Sequence, residues 1–99
     1  MPNDTLEALI VDALPRLTRV GAVVRFDLGA DGAYVIDARD GRAVLGDEDD
    51  DTDCSIRISA DNLAKLIQGR MDPMVGYAMG RIKVSGSLEV AMKLVKAIG

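Results

Sequence analysis

Apolar residues recur along this chain with two periods, and the switches between the periods mark its elements. Leu6, Leu9, Ile10, Ala13 and Leu14 share one face at helical spacing, which predicts an amphipathic helix over residues 4–14. Asp4 is placed to cap it, with Glu7 three residues on, as in a capping box. Pro15 stops or kinks that helix, because it lacks an N–H and crowds the preceding turn. It also suits the start of a short turn over residues 15–19, which Gly21 ends. The period then becomes two. Val24, Phe26 and Leu28 alternate with Arg25 and Asp27, and Tyr34, Ile36 and Ala38 alternate with Asp37 and Arg39. These are half-buried strands over 22–28 and 33–39, joined by the turn residues 29–32. Asp40-Gly41 is a tight hairpin signal, and a shorter strand follows over 42–46.

The second half repeats the alternation of periods. Cys54, Ile56 and Ile58 point one way along a strand, with Ser55 and Arg57 the other way. Ser59 caps a helix whose buried side is Leu63, Leu66 and Ile67, and Gly69 stops it. Asp72-Pro73 is a second helix start, opening a short and almost wholly apolar helix from Pro73 to Met79. Residues 81–85 alternate again, with Ile82 and Val84 inward. Ser87 caps a last helix on which Leu88, Ala91, Met92, Val95 and Ile98 share a face, while Lys93 and Lys96 point away. The order is helix, meander, strand, helix, short helix, strand, helix, in a single domain over residues 1–99.

Composition narrows the core. With no Trp, one Phe (Phe26) and two Tyr, the interior must be aliphatic, so any hollow in it stays apolar. Charge is lopsided. Residues 1–61 hold six Arg and fourteen Asp or Glu, and residues 62–99 hold six Lys or Arg and two acids, so the first part is net -8 and the second net +4. The acidic total argues against nucleic-acid binding. The basic part is either solvated helix and strand faces or a surface for an anionic headgroup, including transient contact with a membrane surface. Residues 47–53 are nearly all acidic and predict an exposed, solvated loop. A calcium loop beginning at Asp47 would need Gly sixth and Glu twelfth, where Thr52 and Ile58 stand.

Catalysis has little to work with. There is no His, so no imidazole base or ligand. The single Cys, Cys54, sits on the inward face of a strand, as a small hydrophobe does, and one Cys makes neither an internal disulfide nor a zinc site. No glycine spacing fits a phosphate-binding loop. The carboxylates fall in turns, at caps and on outward faces, where nothing desolvates them into general acids. The residues therefore predict no enzyme, no cofactor and no metal. No leader of basic then apolar residues opens the chain, no apolar run has the length of a membrane span, and the tail Lys96-Ala97-Ile98-Gly99 is not an organellar address, which points to the cytoplasm.

What remains is an apolar cluster. Met71, Met74, Met79 and Met92 lie within 22 residues. Methionine is unbranched and polarizable, and adapts to variable apolar shapes. These side chains either fill the core or line a tunnel over the sheet. The run Asp53-Cys54-Ser55-Ile56, Leu63 and Leu66, Gly69-Arg70-Met71-Asp72-Pro73, Tyr77-Ala78-Met79-Gly80-Arg81-Ile82-Lys83-Val84-Ser85-Gly86, then Leu88 and Ala91-Met92-Lys93-Leu94 resembles the sterol carrier protein type-two (SCP-2) lipid-binding domain family.

The resemblance implies an α+β fold: a five-stranded, mainly antiparallel sheet covered by helices, with an apolar tunnel between the layers. It implies a lipid carrier whose ligand is a fatty acid, fatty acyl-CoA, phospholipid or sterol. Carried over by position, the lining would be Phe26, Met74, Val75, Tyr77, Ala78, Met79, Ile82, Met92 and Val95, with Arg81, Lys83 and Lys93 near the headgroup. Such a protein would act as a monomer or a homodimer. The competing reading is an accessory interaction or dimerisation module that uses the same apolar groove to dock a protein.

Overall fold

Why the helices lie on one side of the sheet follows from the strand patterns. The structure, a computed structural model, describes residues 2–99, with side chains from Thr5 onward. Helix α1 (Pro2–Ala13) is followed by a 3-10 turn at Leu14–Leu17 that contains Pro15. The helix thus ends just before Pro15, and a tighter turn follows. The capping box expected at Asp4 lies outside the described side chains. Leu6, Ile10 and Ala13 are buried, and Leu9 and Leu14 half-buried, so the predicted face is the one that packs.

Five strands follow: β1 (Val23–Asp27), β2 (Ala33–Asp37), β3 (Val44–Leu45), β4 (Cys54–Arg57) and β5 (Lys83–Gly86). Their spatial order is β3-β2-β1-β4-β5. The β1–β4 pair is parallel and the other three are antiparallel. The hairpin after β2 turns at Asp40 and Gly41, both with positive φ (61° and 75°), and the Arg42 N–H donates to the Arg39 carbonyl at 3.3 Å. This is the chemistry that the Asp-Gly pair predicted. The third strand is shorter than expected, because pairing with β2 covers only Val44 and Leu45.

Val24, Phe26, Leu28, Ile36, Ala38, Cys54, Ile56 and Ile58 are all buried on the inner face. Against them lie α1, helix α2 (Ala60–Ile67) and helix α4 (Leu88–Ile98), in one contiguous core. Ser59 caps α2, accepting the Asn62 N–H at 3.1 Å, and Ser87 caps α4, accepting the Val90 N–H at 3.2 Å. The buried residues of α4 are Ala91, Leu94, Val95 and Ile98. Leu94 belongs to this face and Leu88 does not, so the stripe is centred about one position away from the expected one. At the far end the Arg16 guanidinium donates to the Ile98 carbonyl at 2.6 Å, joining the first turn region to the last.

The outer face carries an unexpected element. The acidic segment must return from edge strand β3 to β4 in the middle of the sheet, so it crosses this face. The Gly46 N–H donates to the Val35 carbonyl at 2.8 Å, and the Arg25 guanidinium to the Glu48 carbonyl at 3.4 Å. Val23 and Val35 are buried although they point away from the main core. Asp53 ends the crossing as a junction. Its carboxylate accepts the Val23 N–H at 2.8 Å, and its carbonyl accepts the Ser87 N–H at 3.1 Å. The segment is exposed as expected, but it is tied down at both ends.

Candidate functional site

Helix α3 (Pro73–Ala78) is where the apolar candidates gather. The Asp72 carboxylate caps it, accepting the Met74 and Val75 N–H groups at 2.8 and 3.3 Å. Pro73 takes the first position, where a missing N–H leaves nothing unsatisfied. Only Gly76 of its six residues is fully buried. A Cβ there would lie 3.2 Å from both Ile82 Cδ1 and Met71 Cε. The helix therefore seats its backbone directly on Ile82 and Met71, next to α4. Its remaining side chains turn outward: Met74 is 51%, Val75 53%, Tyr77 39% and Met79 61% exposed.

The nine predicted lining residues thus separate into two layers. Phe26, Ile82 and Val95 are buried in the core, and Met92 is half-buried against it. Met74, Val75, Tyr77, Ala78 and Met79 lie on the exposed side of α3. Gly76 and Ile82 form the seam between the layers. Between sheet and helices lie the buried side chains of one contiguous core. A hollow of about 380 Å³ lies elsewhere, at the ends of β1 and β4. It is walled by Leu28 and Gly29, by Arg57, Ile58 and Ser59, by Asn62, and by Gly80, Arg81 and Lys83.

Of the three predicted headgroup cations, Arg81 and Lys83 meet at this hollow, while Lys93 is an exposed residue of α4 outside it. Arg57 joins them, and sequence reasoning missed it. Its only signal was an outward position on a strand. The strand register is what brings it opposite Lys83, and no periodicity contains a register.

Neither perturbed acid suits catalysis. Burial, with the Asp53 charge adding to it, pushes the Cys54 thiol up to about 11, so it stays protonated at neutral pH. Hydrogen bonds from Arg39 hold the Asp37 carboxyl down to about 2, which keeps it ionised. No group of three or more metal-ligating side chains occurs among the described residues. Nor is any described helix long and apolar enough to cross a membrane.

A five-stranded mixed sheet with helices packed on one face, and a short apolar helix seated on that core, defines an α+β fold. Residues 4–99 match the SCP-2 sterol transfer family, and the chain belongs to it. Sterol carrier protein 2 of Rattus norvegicus is 30% identical over 82 residues, which cover 77% of this chain and 15% of that protein. The chain therefore spans a small part of the length of the curated relatives it matches. Among solved structures, sterol carrier protein 2 like 2 of Aedes aegypti superposes with a TM-score of 0.74 at 17% identity, covering 97% of this chain and 98% of that one. Sterol carrier protein 2 of Aedes aegypti, solved as a complex with the C16 fatty acid palmitate, superposes with a TM-score of 0.69 at 20% identity, covering 100% of this chain and 96% of that one. These likenesses establish the α+β fold.

Proposed function

We propose that this protein is a non-catalytic lipid carrier that takes an acyl chain between α3 and the core. The observation that carries this reading is α3 itself. It rests on Ile82 and Met71 through Gly76 and on α4, its start is ordered by the Asp72 cap, and it is apolar on both its seated and its outward side. Lifting such a helix exposes Ile82 and Met71, which pack on the same apolar core as Phe26, Met92 and Val95. Each methylene then buried is worth about 0.8 kcal/mol, less the ordering costs. The palmitate complex of the Aedes aegypti relative supports a linear chain as the ligand class. Fatty acid, acyl-CoA and phospholipid share that chain, and a sterol asks for a wider opening. The absence of imidazole in the sequence and the raised Cys54 thiol support a carrier over an enzyme. The cytoplasm is the compartment proposed, because Cys54 is unpaired and buried.

Native mass spectrometry before and after organic extraction tests this, followed by uptake of a fluorescent fatty acid. A bound acyl lipid near one per chain is the expected result. Met79→Glu puts a charge on the apolar outward side of α3 and is expected to weaken uptake about tenfold or more, since a carboxylate beside the chain must be desolvated. Undiminished uptake by the folded variant removes α3 from the binding site. A second reading, a docking module, is favoured by the same exposed residues. It predicts a lipid-free protein that forms a stable dimer by light scattering.

A further inference from the structure

We propose that the hollow at the ends of β1 and β4 binds a phosphate-class anion between Arg57, Arg81 and Lys83. Three separate stretches deliver these cations: the end of β4, the turn after α3, and the first residue of β5. Arg57 and Lys83 are cross-strand partners in the β4–β5 ladder, so their side chains leave the same face of the sheet. Like charges directly opposite each other in a ladder are destabilising. Among the described residues, no carboxylate forms a salt bridge with any of the three. Asp27, the neighbour of Arg57 across the β1–β4 pair, has a carboxylate oxygen accepting the Gly29 N–H at 2.9 Å. The sheet thus holds three cations around a concavity in which an anion relieves their repulsion.

The hollow has room for such a group. Its volume of about 380 Å³ exceeds that of a phosphate, leaving room for whatever the phosphate is attached to. Leu28 and Ile58 are buried beneath it. The guanidinium of Arg57 lies over the chain at Gly29, where a Cβ would make an ordinary contact of 3.5 Å with Arg57 Nη2. Asn62 adds a half-buried amide. A phosphate monoester brings nearly two negative charges and three strong acceptor oxygens, against one charge on a carboxylate. Two guanidinium forks match those oxygens in pairs, and the ammonium serves as a point charge. The chemistry is shared by a free phosphate compound and by the polar end of a phosphate-bearing lipid. Only the second source rests on the carrier reading.

The test is a titration of the full chain, followed by the backbone amide resonances, with inorganic phosphate, then with an acylglycerol phosphate and the matching uncharged monoacylglycerol. Phosphate is expected to move the amides of Gly29, Ser59, Gly80 and Arg81. Arg57→Gln with Arg81→Gln is expected to lower phosphate affinity about tenfold or more, as loss of charge-assisted hydrogen bonds does, while Lys96→Gln, on the exposed side of α4, leaves it unchanged. Lys83→Gln alone serves if the double variant does not fold. An acylglycerol phosphate that outbinds the monoacylglycerol, with an advantage the variants abolish, assigns the hollow to the lipid's polar end. Phosphate binding with neither lipid bound keeps the site and identifies a free phosphate compound as its ligand, and the carrier reading then stands or falls separately on fatty-acid uptake. Amides in the hollow that do not respond, or variants that bind phosphate as the parent does, overturn this proposal.

Discussion

A few single atoms decide how this chain closes. At Gly86, φ is +87° and a Cβ would stand 2.7 Å from the Asp53 carbonyl oxygen and 3.0 Å from Cys54 Cα. Both obstacles are backbone, so nothing can rotate away. Gly86→Ala is expected to destabilise the fold by about 2–3 kcal/mol, from strain in the left-handed region and displacement of β5. A urea melt measures this as a lowered midpoint at nearly unchanged slope. Asp53 gives the junction its polar half, with its carboxylate on Val23 and its carbonyl on Ser87. The same position therefore ends the acidic crossing, starts β4 and receives the chain as it enters α4. Gly76 is a different case. The atoms nearest its would-be Cβ are the ends of flexible side chains, Met71 and Ile82, so the seam under α3 has some give.

Elements differ in how firmly they are held, and that difference is where function enters. β1, β2 and β4 lie within the sheet, and α1, α2 and α4 each bury a run of aliphatic side chains. Helix α3 buries one glycine and is too short to stand alone. Its cap is consequently a large share of what orders it. Asp72→Ala should cost about 1 kcal/mol at α3. The global melt moves by no more than that, while hydrogen exchange at Gly76, Met79 and Gly80 speeds up about fivefold, because local opening carries the change. Faster uptake of a fluorescent fatty acid by this variant would follow from the same opening. Equal exchange in the two proteins would mean that α3 is fixed by something other than its cap.

At the scale of the whole molecule, the sheet has a helix-covered side and a side crossed only by the acidic segment. Cys54 lies on the covered side, 2% exposed, in the strand paired between β1 and β5. Lifting α3 does not release that strand. A thiol reagent at pH 8 is therefore expected to leave the native protein unmodified and to label it only at the rate of global unfolding, the raised thiol adding to the protection. Labelling on the timescale of lipid uptake would show that opening extends into the sheet. The charge asymmetry of the sequence also acquires a shape at this scale. The acids of residues 47–53 lie over the outer face, and Arg57, Arg81 and Lys83 gather at the ends of the strands.

The elements were legible because each rests on local chemistry. The alternation at Val24, Phe26 and Leu28 and at Cys54, Ile56 and Ile58 states which side of a strand is buried, and burial agrees. Asp40-Gly41, Ser59, Asp72-Pro73 and Ser87 act within three or four residues, so the turn and the caps form where the sequence placed them. The candidate site was legible only in composition. Methionine clustering named α3, but helical spacing does not tell its outward side from its seated side when the whole helix is apolar. The seated side is set by Gly76, where the backbone fits against Ile82 and Met71. Strand order, the parallel β1–β4 pair and the meeting of Arg57 with Lys83 belong to the tertiary structure alone. They depend on contacts between residues far apart in sequence, whose register no local periodicity encodes.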